Sequence, residues 1–187
     1  TFFSFSIDMS NAMLNPARLA WGLKQACLGL GFRFFDGTPV TAIVVCYSGS
    51  LEAGERVLQP LRAFDTPLAD QIAPIPYTAA QKLVDAFYPP GLQAYFKASF
   101  LTEISEAAID TIVTYCAQRP SPICHVVIEH TLGGAVSRVD REATAFHHRA
   151  VQYSFISLGM CTDPAEAERC VRWAREFWGA MQPCLTD

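Results

Sequence analysis

The feature that most constrains this chain is the order in which two hydrophobic periods follow one another. Strand-like and helix-like stretches take turns at first, and past residue 123 strand-like stretches succeed each other with no helix between them. Residues 2–7 set Phe3, Phe5 and Ile7 against Phe2, Ser4 and Ser6, the period of a strand. Residues 16–30 read as a helix, with Asn15 as N-cap, Pro16 in the first turn and Gly31 at its end. Residues 40–47 are rich in β-branched side chains and read as a buried strand. A second helix over 51–64 takes Ser50 as its cap, with Glu52 and Glu55 near its positive end. Three prolines between residues 65 and 76 rule out regular structure there.

Beyond that loop the pattern predicts a short helix over 78–87 and a strand over 92–100. A helix over 103–118 follows, with Ile104, Ala108, Ile112 and Cys116 on one stripe. Residues 124–130 read as a strand, Gly133 and Gly134 as a kink or bulge, and 135–139 as the continuation or partner of that strand. The last strand is expected over 151–158, and Asp163 caps a final helix over 164–182. Its Trp173, Phe177 and Trp178 read as helix-to-sheet core. This order implies an α+β fold: a largely antiparallel sheet with helices packed on one face and the other face free.

Composition bounds the function. Hydrophobic residues make up 51% of the 187 and charged residues 17%, so the chain is globular, and residues 1–187 are expected to form one domain. A net charge of −4 gives no reason to expect a nucleic-acid partner. The longest apolar run, residues 42–47, falls far short of the about 20 residues a membrane span needs. Seven cysteines with no CxxC pair argue against zinc and for reduced, buried thiols in a cytoplasmic protein. Adjacent His147 and His148 lack a third ligand at helpful spacing.

Four pieces from residue 44 onward carry a resemblance: CYSGSLEAGERVLQPLRAFDTPLADQIAPIPYTAAQ, QAYFKASFL, IEHTLGGAVSRV with TAFHHR, and WAREFW. In order and spacing they resemble the substrate-binding domain of berberine-bridge-enzyme-like FAD-linked oxidases, flavoproteins of the vanillyl-alcohol-oxidase type. The resemblance implies a full-length enzyme that binds FAD and transfers a hydride to the flavin. The hydride comes from an alcohol or amine carbon of a sugar or natural product. It also implies that the free sheet face roofs the flavin. The family's flavin-binding domain and its C-terminal return segment have no counterpart in these residues, so FAD is expected in the full-length protein and not on this chain alone. The expected partners are therefore a flavin-binding domain and a small-molecule substrate.

Within that frame His130, three residues before Gly133, is the first choice of proton acceptor, because the resemblance implies a base there, some family members placing a carboxylate at that spacing, and imidazole titrates in the useful range. Neighbours on a regular strand point to opposite faces, so only one of the pair can face substrate, and Glu129 is the alternate should the bulge at Gly133 begin early. Gln93, Tyr95 and Lys97 form a polar stripe on one strand face, and Tyr153 is preferred over Gln152 and Ser154 on the last strand; these four are the expected substrate-binding wall. Two other functions compete with the oxidase fragment. One is a free-standing small-molecule-binding domain without redox activity. The other is a dimerisation module whose free sheet face a second copy covers, giving a homodimer.

No glycine-rich loop leads into a helix N-terminus, where a pyrophosphate is usually cradled. A purified chain of these residues is therefore expected to be colourless and to show no micromolar affinity for FAD by titration. A yellow preparation with flavin absorbance would contradict this.

Overall fold

The computed structural model describes residues 2–8, 40–47, 49–63, 70, 72–82, 85, 88–130 and 134–186. Tyr153–Cys161 (β5) organises them. It pairs antiparallel with Gln93–Leu101 (β3) on one side and with His125–His130 (β4) on the other. Phe2–Asp8 (β1) then joins β4 in parallel, and Val40–Cys46 (β2) joins β1 in parallel, giving the order β2-β1-β4-β5-β3. The fold is α+β. Its antiparallel character belongs to β4-β5-β3, while β2-β1-β4 is parallel.

Among the described residues three helices are longer than one turn. Leu51–Arg62 (α1) is capped by Ser50, whose Oγ accepts the Ala53 N–H at 3.3 Å. Glu106–Ala117 (α2) is capped in the same way by Ser105, which accepts from Ala108 N at 3.2 Å. Ala167–Met181 (α3) is flanked by 3-10 turns at Pro164–Glu166 and Gln182–Cys184, so the helix expected over 164–182 divides where Pro164 and Pro183 sit. Asp163 caps the first of these turns, accepting from Ala165 N.

Two expectations are corrected. In the stretch expected as a helix over 78–87, only Tyr77–Ala80 is an α-helical turn, and residues 83, 84, 86 and 87 lie outside the described residues. The strand expected over 135–139 is instead a helical turn, Gly134–Ser137. Gly134 takes φ of +50°, which redirects the chain, and the Ser137 hydroxyl closes the turn on the Gly134 carbonyl at 3.1 Å. Gly133 and the helix expected over 16–30 lie outside the described residues.

α2 and α3 cover one face of the sheet. Tyr115 and Phe177 stack at 4.9 Å between centroids, and Phe155 meets Phe177 edge-on at 5.2 Å. Trp173 donates its indole N–H to the Tyr115 carbonyl at 2.9 Å, which lets it enter the core without an orphaned donor. Burial of each such ring contributes about 1.5–3 kcal/mol. Four cysteines share this interior: Cys116, Cys124, Cys161 and Cys170. Burial, followed by the neighbouring Cys124, pushes the Cys170 thiol up to about 11, so it behaves as a small core group. Among the described residues no helix is long and apolar enough to cross a membrane.

The tightest seam is backbone against backbone. A Cβ added to Gly159 would lie 2.2 Å from the Cys170 carbonyl oxygen. Two residues earlier, Ser157 is fully buried and donates its hydroxyl to the Ala174 carbonyl at 3.1 Å. Gly159→Ala should therefore force α3 away from β5 and lower stability by about 1–3 kcal/mol, the usual cost of overpacking. Chemical denaturation checks this, with the midpoint expected to fall and the slope to stay unchanged.

Candidate functional site

Because side chains alternate along a strand, docking α3 on one face of β5 assigns every residue of the three antiparallel strands to a side. Tyr153, Phe155, Ser157, Gly159 and Cys161 are all buried toward the helices. The register then builds three rows on the opposite face. They are Glu129–Ser154–Phe100, Val127–Ile156–Ala98 and His125–Leu158–Phe96. The rows are about 7 Å apart, two residues along a strand.

Glu129 is the acid of this face. The Ser154 hydroxyl donates to its Oε2 at 2.9 Å, a cross-strand bond that fixes the carboxylate. Beside Ser154, the Phe100 ring is stacked by His148 at 4.3 Å and met edge-on by Phe146 at 6.4 Å. Arg149 holds that segment in place, with a guanidinium bonded to the Val136 carbonyl and to Thr144 and set 5.0 Å over the Phe146 ring. Phe96, in the far row, is 52% exposed.

At the opposite end of the face, Tyr88 Oη lies 3.0 Å from His125 Nε2, and His125 Nδ1 lies 2.8 Å from the Ile123 carbonyl. Burial lowers the His125 pKa from its ordinary value. The Tyr88 phenol is raised, by burial first and then by the charge of Glu129, so the carboxylate is felt at the far row.

The residues singled out from sequence fall on both sides of the sheet. Glu129 faces the open side. His130 faces the helices, its ring tilted against Tyr153 at 4.9 Å. Tyr153 is only 5% exposed and its phenol is held protonated by burial. Tyr95 and Lys97 also turn toward α3. Arg175 donates to the Tyr95 hydroxyl at 3.0 Å, and the Lys97 ammonium sits 3.8 Å above the Trp178 ring. Gln93, exposed opposite Cys161, shares their face. Thus Gln93, Tyr95, Lys97 and Tyr153 lie apart from the open face on which a wall was expected. Alternation says which residues go together, but only the docked helix says which set it covers.

Sequence reasoning missed Tyr88, His125 and His148 as members of the face that carries Glu129, and it ranked Ser154 below Tyr153. For His125 a signal existed, because it precedes Glu129 by four residues and so shares its strand face. For Tyr88 there was none, since a residue outside the strands reaches the sheet only through the fold.

No family model matches the chain. A curated protein, the uncharacterized FAD-linked oxidoreductase YgaK of Bacillus subtilis (strain 168), is 31% identical over 124 residues. The match covers 64% of this chain and 27% of that protein, so this chain spans only about a quarter of the relative's length.

With His125 depressed and its unfolded pKa near 6.5, the unfolded chain takes up a proton there before the folded chain does. Stability is therefore expected to fall as pH drops through the ordinary histidine range. His125→Gln should remove that part of the dependence, as judged by urea midpoints measured across the range.

Proposed function

We propose that this chain is the substrate-facing part of an FAD-dependent oxidoreductase of the berberine-bridge type, and that Glu129 is its proton acceptor. The observation that carries the reading is a carboxylate pinned by Ser154 on the sheet face opposite α2 and α3, flanked by an apolar row and by aromatic rings. The likeness to an FAD-linked oxidoreductase supports the cofactor.

The residues fit a flat aromatic ring better than a phosphate. Ala98 and Ile156 make a low apolar strip between Phe96 and Phe100, while no glycine-rich cradle accompanies them, so the rest of FAD belongs to another part of the protein. When bound, the flavin supplies a hydride acceptor. Glu129 takes the hydroxyl proton of an alcohol substrate as the adjacent C–H bond yields its hydride and the carbon becomes a carbonyl. Ser154 holds the carboxylate in one orientation, a positioning role. Phe100 and His148 border the acid's row on one side, and a ring closing over the rows would complete the exclusion of water from the reacting atoms, which strengthens the charge interactions there. A substrate that is an alcohol of a sugar or natural product suits a face that joins one acid to apolar ground.

The test is anaerobic stopped-flow reduction of the flavin in the full-length protein. Glu129→Gln should slow reduction by about 10²–10⁴-fold, the usual range for a general base. Substrate binding should change far less, because a proton acceptor acts mainly in the transition state. His130→Gln should leave the rate near wild type. A collapse in the His130 variant with normal reduction in the Glu129 variant would pass the role to the neighbour and overturn this assignment.

A further inference from the structure

We propose that Tyr88 is a specificity-determining hydroxyl on the open face, locked by His125 as a hydrogen-bond acceptor for a second donor group, hydroxyl or ammonium, on the ligand. The lock follows from the chain of contacts. The Ile123 carbonyl can only accept, so the Nδ1 facing it at 2.8 Å carries the ring hydrogen. In the neutral ring Nε2 then carries a lone pair, and at 3.0 Å it accepts a hydrogen bond from the Tyr88 hydroxyl. Burial of His125 favours that neutral ring. With its proton turned inward, the phenol oxygen has only lone pairs to offer outward, and Tyr88 is 39% exposed.

The position gives the lock its use. His125 and Glu129 lie on one strand face, two rows apart, with Val127, Ile156 and Ala98 between them. The face thus offers an acceptor at each end and an apolar strip in the middle. It selects a ligand with donors at both ends and hydrocarbon between, and it discriminates against one whose far oxygen has been capped as an ether. This rests on the open face being the ligand face. Tyr88 would touch the ligand, whereas His125 acts through Tyr88 and is a positioning residue.

The experiment uses the full-length protein and two probes, cis-cyclohexane-1,4-diol and its mono-O-methyl ether, with affinities taken from ligand-observed NMR titration. Wild type should bind the diol about 3–10-fold more tightly, the worth of one net hydrogen bond. Tyr88→Phe keeps the ring and should reduce the ratio to about one. His125→Ala should reduce it too, whereas His125→Gln, whose amide oxygen can accept the phenol proton, should restore much of it. Nitrogen-15 spectra of labelled histidine should show His125 as the Nδ1–H tautomer, a readout that general loss of packing would not imitate. Equal or undetectable binding of the probes, an unchanged ratio in Tyr88→Phe, or an Nε2–H tautomer would each overturn the proposal. None of these readouts involves flavin reduction. A normal reduction rate in Glu129→Gln would instead fail the proton-acceptor assignment while leaving this result standing.

Discussion

The contact on which the rest depends is the approach of the α3 backbone to β5. At Gly159 the helix carbonyl of Cys170 occupies the space a Cβ would need, and the buried Ser157 hydroxyl bonds to Ala174 one turn further along α3. A sheet has two faces of nearly equal standing until something docks on one of them. Here the docking is fixed by a missing side chain and one satisfied hydroxyl, both specific to a single register. Slipping β5 by one residue would present Ile156 and Leu158 to α3 and bury Ser154, leaving its hydroxyl without Glu129.

From that choice the division of labour follows by alternation. The covered side takes the large rings, the thiols and the stapling contacts of Arg175 and Lys97 at the edge strand β3. The opposite side carries Glu129 with Ser154, the Phe100–His148 stack, and the Tyr88–His125 pair. Neighbours in sequence therefore have unrelated duties. His130 packs on Tyr153 while Glu129, one residue away, faces outward.

Much of this was legible in the sequence. Helix starts were marked by Ser50 and Asp163, because a short side-chain oxygen beside unsatisfied N–H groups is a local matter. Strand positions followed from period alone, and so did the opposition of Glu129 to His130. Less was legible where the answer lay in tertiary contact. The glycine pair suggested a bulge and a continuing strand, yet Gly134 begins a helical turn that Arg149 ties to the chain ahead of β5. Tyr95, Lys97 and Tyr153 looked like the wall of a site because polar and aromatic groups on a strand suit a ligand. Trp178 and Arg175, distant in sequence, are what claim two of them for the covered side.

A carboxylate on an open sheet face has a chemical limit that bears on the proposed reaction. In contact with water a carboxylate's charge is screened and solvent competes for the substrate's proton; excluded from water, its interactions with the reacting atoms are screened far less. The Ser154 bond supplies orientation, but orientation alone does not remove water from a face where Phe96 stands half exposed. On the proposed reading, Glu129 becomes an effective base only when a second surface closes over these rows, and a flavin ring is a surface of the right shape and polarity. The matched relative, of which this chain covers 27%, is long enough to provide one. Binding and proton removal would then be divided between two parts of one protein, with the acid, its orienting serine and the Tyr88–His125 lock all on the part described by β3, β4 and β5.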